Sequence, residues 1–327
     1  MNTSKSGNNG RVRGWTPPFS REGTHMPVIG RGNVLSGLKA RDAMRTRAVY
    51  LPGTESIAAA VRHAIKFKVN ALLVTGEDNE PLGIVSKTDI MGAYYAGLPI
   101  DSPVETIMVG PPLFCGPDDS LESALETMRE HRIHRLFVES PLENDVPGVL
   151  AYPDIVGMLY RYCHHCKRNV LRARESGNDG GSMVDSYRVG EIMTPGVRGV
   201  LFSDTITQAI EELSAHRMGA LLVNDRDGSP VGVLSKTDLA LSYLHDIGLE
   251  SSVSGIMTSP VKSCSEDTLL IEAVKKMIFS DVHRYFIHGS DPRDVTGVFT
   301  LTDAARIRSG SCRACVTTRI ELEKAGG

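Results

Sequence analysis

Apolar positions recur along this chain in two alternating rhythms. Leu121, Ala124, Leu125 and Met128 fall at i, i+3, i+4 and i+7, the stripe of an amphipathic helix. Leu270, Ala273, Val274 and Met277 repeat it. Asp119 with Glu122 reads as a capping box ahead of the first stripe. Short apolar runs at Ala71–Val74, Arg135–Val138, Ala220–Val223 and Arg284–Ile287 read as strands. Polar turns such as Glu77–Asn79 and Asp225–Gly228 follow them. A second strand then runs from a glycine to an aspartate, with a helix expected to start at that aspartate. The order β-α-β-β-α occurs four times. So small a sheet cannot bury both faces alone, and pairing two modules face to face supplies the missing layer.

The repeat is explicit in the Gly-to-Asp segments. They are Gly83-Ile-Val-Ser-Lys-Thr-Asp89, Gly148-Val-Leu-Ala-Tyr-Pro-Asp154, Gly232-Val-Leu-Ser-Lys-Thr-Asp238 and Gly297-Val-Phe-Thr-Leu-Thr-Asp303. A methionine precedes each: Met44, Met108, Met193 and Met257. The second half repeats the first without a gap, so that Met44 maps to Met193 and Asp89 to Asp238. The six cysteines obey the same rule: Cys115 to Cys264, Cys163 to Cys312 and Cys166 to Cys315. This is duplication of a two-module unit. Residues 1–38 lie outside it as a basic arm. Pair 1 is expected over 39–171 (modules 39–100 and 101–171) and a flexible linker over 172–187. Pair 2 follows over 188–316 (modules 188–249 and 250–316), and a tail over 317–327.

Gly-x-x-Ser/Thr-x-x-Asp at a strand-to-helix junction resembles the nucleotide motif of the CBS domain, and the resemblance covers about Lys39 to Ile307. It implies an α/β (α+β) fold: four CBS modules in two tandem pairs, forming a disc about a pseudo-twofold axis. In that family the aspartate accepts hydrogen bonds from ribose hydroxyls, and the Ser or Thr hydroxyl contacts ribose or phosphate. A carboxylate accepts two donors at once, and backbone N–H groups at a helix start favour an anion. Asp89, Asp154, Asp238 and Asp303 thus become ribose contacts, with Ser86, Ser235 and Thr300 beside them. Module 2 departs from the pattern, with Ala151 in place of the hydroxyl and Pro153 before its aspartate. The strands bearing His134-Arg135 and His283-Arg284 are similar to the His-Arg strands of the γ subunit of AMP-activated protein kinase. That similarity makes these four residues phosphate contacts, an arrangement suited to a guanidinium fork. AMP, ADP, ATP and S-adenosylmethionine-like ligands all fit the same ribose logic. The plain alternative is that each aspartate only caps its helix.

Composition narrows the classes. The 327 residues are 41% hydrophobic and 23% charged with a net charge of −3, which excludes only a surface basic throughout. No apolar run approaches the roughly 20 residues that span a bilayer. The polar start lacks the apolar stretch of a secretory signal, so a cytoplasmic location is expected. Cys163-His-His-Cys166 and Cys312-Arg-Ala-Cys315 have metal-ligand spacing. If the even modules are neighbours, the two pairs form one four-thiolate cage. Zinc is its simplest occupant and an iron–sulfur cluster the alternative. A redox dithiol or ordinary core cysteines are the other readings. Cys115 and Cys264 stand alone and read as buried packing.

From Met1 to Arg47 there are nine Lys/Arg and two acids, with Trp15 among them. Three readings are open for this segment: contact with RNA or the ribosome, a solvated tail, or a strap across the core anchored by Trp15. No catalytic domain accompanies the modules. The reading is therefore a non-catalytic regulator that binds adenine nucleotides and transmits occupancy to a regulated protein, with the RNA-associated factor and the CxxC redox protein as alternatives. The cage reading makes a definite demand. Cys163→Ser and Cys312→Ser should each abolish metal in elemental analysis of anaerobically purified protein; half retained by each variant would mean two separate sites.

Overall fold

The two strands of each module pair antiparallel, and a short parallel strand joins them on one side. The protein is described by a computed structural model over residues 38–140, 147–156, 188–280 and 282–304. In module 1, β1 (Tyr50–Pro52) leads through α2 (Ile57–Lys66) to β2 (Ala71–Thr75), β3 (Pro81–Ser86) and α3 (Lys87–Tyr95), after a single opening turn, α1 (Ala40–Ala43). Module 2 has β4 (Phe114–Cys115), α4 (Leu121–Glu130), β5 (Arg135–Val138) and β6 (Gly148–Ala151), followed by helical backbone at 152–156. Module 3 opens with β7 (Thr194–Pro195). It continues through β8 (Gly199–Leu201), α5 (Ile206–Ala215), β9 (Ala220–Asn224), β10 (Pro230–Ser235) and α6 (Lys236–Leu244). Module 4 has β11 (Ser263–Ser265), α7 (Leu270–Phe279), β12 (Arg284–His288) and β13 (Val295–Thr300). The expected α+β order is present in all four.

The start of α4 and the helix starts after the Gly-to-Asp segments differ from the expectation, and at α3, α4 and α6 a hydroxyl is the cap. A short hydroxyl side chain caps a helix from one residue before it. Ser120, not Asp119, caps α4 by accepting from Ser123 N at 3.0 Å. Asp119 instead accepts from Gly116 N at 2.8 Å and closes the preceding turn. Likewise α3 begins at Lys87 rather than Asp89, with Ser86 as its cap and Asp89 in its first turn.

Each sheet is completed from the other member of its pair. The lead-in around each methionine folds back onto the partner module. Arg45 bridges Val149 in β6, and Val109 bridges Ile84 in β3. Thr258 bridges Val233 in β10, and β7 pairs antiparallel with β13. The methionines therefore sit on the glycines of the partner's Gly-to-Asp segment. A β-carbon on Gly148 would lie 2.9 Å from Met44 Sδ, one on Gly83 2.8 Å from Met108 Sδ, and one on Gly232 2.6 Å from Met257 Sδ. Only a residue without a side chain admits so close an approach.

The strands bury both faces, as their alternation requires. Leu72 and Val74 of β2 point into a core shared by modules 1 and 3, along with Leu221 and Val223 of β9. Leu73, between them, meets Phe137 and Val149 of module 2, with Ile84 and Phe114 packed alongside. Modules 2 and 4 share another core, which contains Leu136, Leu150, Ile287 and Phe299. Odd thus packs on odd and even on even. A fully buried Leu or Val contributes roughly 1.5–3 kcal/mol, so these shared cores join the two pairs firmly. At the odd junction, Tyr94 and Tyr243 stack with centroids 5.0 Å apart. Tyr243 Oη donates to Leu98 O at 2.5 Å, and Tyr94 Oη donates reciprocally to Ile247 O.

The exchanged lead-in makes Gly232→Ala an overpacking change, because the added carbon meets both Met257 Sδ and the Thr258 carbonyl. We expect a loss of about 1–3 kcal/mol in urea unfolding. Gly248→Ala, whose β-carbon meets nothing within 4 Å, should stay within about 0.5 kcal/mol of the parent.

Candidate functional site

Each Gly-to-Asp segment delivers its aspartate into the first turn of a helix, where the carboxylate turns back on the residue before the helix. Asp89 Oδ2 accepts from Ser86 N at 2.7 Å and Ser86 Oγ at 2.6 Å. Asp238 Oδ2 accepts from Ser235 N and Oγ at the same distances. Asp303 Oδ2 accepts from Thr300 N at 2.9 Å and Oγ1 at 2.7 Å. Asp154 Oδ2 accepts only from Ala151 N, at 3.2 Å, since alanine brings no hydroxyl. One oxygen of each carboxylate is thus committed to building the helix start. In Asp154 and Asp238 the other oxygen, Oδ1, accepts from the lead-in of the partner module. The capping role and a ligand role are compatible, because they use different oxygens.

The His-Arg strands separate into two behaviours. Both histidines are exposed, and His134 lies edge-on to Tyr152 with centroids 5.9 Å apart. Both arginines are half-buried and cross to the partner module. Arg135 Nη1 donates to Ala71 O at 2.9 Å. Arg284 reaches Gly219, where a β-carbon would stand 2.7 Å from Nη2. Desolvation, then the neighbouring Arg45, pushes Arg135 down to about 10. Desolvation also lowers Arg284, against the attraction of Asp238.

Two lysines not singled out by the sequence reading complete this centre. Lys87 and Lys236 are the first residues of α3 and α6. Lys87 Nζ donates to Thr237 Oγ1 at 2.9 Å, and Lys236 Nζ to Thr88 Oγ1 at 2.8 Å. These reciprocal bonds tie the odd modules together. Burial lowers both lysine pKa values. Asp238 opposes that shift at Lys87 and Asp89 opposes it at Lys236, while Arg284 adds to it at both and Arg135 at Lys87. Four cations and two carboxylates from all four modules therefore share one partly desolvated region. Both helix N-termini add positive potential there. The signal was present in the sequence, since Lys87 and Lys236 occupy one position of the duplicated segment.

The exchange brings the residue after each lead-in methionine beside the partner module's Gly-to-Asp segment. Thr258 Oγ1 donates to Asp238 Oδ1 at 3.0 Å. Arg45 Nε donates to Asp154 Oδ1 at 2.7 Å. Val109 takes the equivalent place in module 1 and Thr194 in module 4.

The CBS domain profile matches residues 40–96, 104–161, 189–245 and 253–310. The chain belongs to the CBS-domain family. A Methanocaldococcus jannaschii protein proposed as an archaeal homologue of γ-AMPK has the same fold. It is 16% identical with a TM-score of 0.63, over 83% of this chain and 99% of that one. An uncharacterized 17.7 kDa protein encoded in the bps2 3′ region of Acidianus ambivalens is 29% identical over 36% of this chain and 71% of its own length. An uncharacterized 33.4 kDa protein in the ribosomal RNA operon of Thermofilum pendens is 28% identical over 52% of this chain, a match spanning 53% of that protein.

The CBS assignment covers the nucleotide motifs but not every expectation. Cys163, Cys166, Cys312 and Cys315 lie outside the described residues, as does the basic arm with Trp15. Among the described residues no helix is long and apolar enough to cross a membrane, and no cluster of His, Cys, Asp or Glu has the makings of a metal site. Cys264 is a buried thiol of the even core, and Cys115 packs against that core. Burial, then Asp119 and Glu139, pushes the Cys115 thiol up to about 11. Its thiolate fraction at pH 8 should therefore be about a hundredfold below that of a thiol at 9. Peptide mapping after brief iodoacetamide treatment of the native protein should find Cys115 unmodified, with labelling appearing only on unfolding.

Proposed function

We propose that this CBS-domain protein is a non-catalytic sensor of adenine nucleotides. Ribose hydroxyls bond the aspartates at the starts of the cleft helices, and phosphates turn toward Lys87, Lys236, Arg135 and Arg284. The observation that carries this reading is the desolvated cation cluster beside those carboxylates. The sign of its electrostatics is informative. A lysine whose folded pKa lies below 10.5 holds its proton less tightly folded than unfolded. The charge on Lys87 and Lys236 thus opposes folding at neutral pH, and the opposition fades as pH rises through the lowered pKa toward 10.5. An anion seated among these groups relieves the opposition without a change of pH.

The cluster draws on both pairs, so a phosphate there contacts groups on either side of the odd junction. Occupancy would then bias how the pairs pack, which is the means of passing the signal to a regulated protein. The cysteine cage fits the same picture. Tyr152, Ile155 and Val156 share one core with Leu301 and Ala304, and these residues precede Cys163 and Cys312 in the chain. The even modules are neighbours, as a shared site requires.

Calorimetry with AMP and adenosine tests the proposal. AMP should bind more tightly, and saturation at about a hundred times Kd should add about 2.7 kcal/mol to stability. Asp238→Ala should weaken both ligands about tenfold or more. Lys236→Ala should weaken AMP by about 10–100-fold, as loss of a charged hydrogen bond implies, and leave adenosine nearly unchanged. Equal binding of AMP and adenosine would refute the phosphate assignment.

A further inference from the structure

The four clefts are not equivalent, and the difference lies in a residue that each receives from its partner module. We infer that Arg45 closes the second cleft of pair 1 to ribose, so that it is the residue setting which clefts of this chain accept a nucleotide. The inference rests on the nucleotide reading above and adds to it a stoichiometry and its cause.

Two independent differences meet at this cleft. Ala151 stands where Ser86, Ser235 and Thr300 supply a hydroxyl to their aspartates. Arg45 stands where the other lead-ins bring Val109, Thr194 and Thr258. The consequence falls on Asp154. Its Oδ2 accepts from Ala151 N and its Oδ1 from Arg45 Nε, so protein groups engage both oxygens. Asp238 also has both oxygens engaged, but the hydrogen bond to its Oδ1 comes from the Thr258 hydroxyl. That group is neutral and rotates aside for a ribose. A guanidinium–carboxylate bond is charge-assisted and roughly twice as strong as a neutral one.

The backbone of Arg45 is held in place. Its N donates to Val149 O at 2.9 Å, and its O accepts from Val149 N at 3.0 Å. Met44 beside it is seated over Gly148. The backbone is fixed by the sheet, so only the side chain is able to swing. Swinging away breaks a charge-assisted bond to Asp154, whose side chain is 12% exposed. A neutral ribose diol does not replace that charge.

Native mass spectrometry of the full chain with AMP counts occupied clefts. The parent should bind no more than three. Ala151→Ser alone, which restores the hydroxyl and keeps the guanidinium, should bind no more than the parent. Ala151→Ser with Arg45→Thr should bind one more. Thr258→Arg, which brings a guanidinium to Asp238, should bind one fewer. Four AMP on the parent, a gain from Ala151→Ser alone, or no gain from the double variant would overturn the inference. If the double variant fails to fold by circular dichroism, Thr258→Arg decides, and an unchanged count overturns it. Failure of the nucleotide reading looks different: no AMP on the parent or on any variant.

Discussion

A three-stranded sheet with helices on one face leaves an edge and a face to be covered, and the exchange of lead-in segments closes the edge. Met44, Met108, Met193 and Met257 each carry a few residues across to the partner module and lock against a glycine. The facing sheets then cover each other through Leu73, Phe137 and Val149 in pair 1. Neither module of a pair has a complete sheet without the other's lead-in. The pair is therefore the smallest unit with complete sheets, and each Gly-to-Asp segment meets the lead-in of its partner module. A substitution such as Gly232→Ala acts on a contact between modules although glycine and cleft aspartate share one short segment.

The odd junction follows from that arrangement. With the sheets occupied within pairs, the helices are left to join the pairs, and α3 and α6 meet near their N-termini. Lys87 and Lys236 are drawn together with Arg135 and Arg284. Such a convergence of positive charge opposes the fold that creates it, and Asp89 and Asp238 compensate only in part. Under the proposed nucleotide reading, the groups that build the helix starts are also the ligand's, which would couple the local stability of the junction to its occupancy.

Much of this was legible in the sequence. The repeat, the β-α-β-β-α order and the duplication are local patterns, and the structure has all of them. The place of the aspartates at the helix starts was legible because their motif is short. The exchange was not legible, since the spacing of methionine and aspartate is the same whichever module the methionine rests on. Lys87 and Lys236 were visible as repeated letters, but their role depends on odd modules packing together, a contact between residues far apart in the chain. Arg45 was counted only as one positive charge among nine in the N-terminal region. Its partner Asp154 lies 109 residues away, and only the fold brings them within hydrogen-bond reach.

The reciprocal bonds from Lys87 to Thr237 and from Lys236 to Thr88 are those of a symmetric dimer written into one polypeptide. Two separate copies of a single pair would carry identical residues at every equivalent place. Fusion removes that restriction. Arg45 and Thr194 occupy equivalent places in the two halves, yet differ in charge and reach. Joining the halves thus lets one fold carry different chemistry at equivalent places, which identical subunits are barred from doing by their own symmetry.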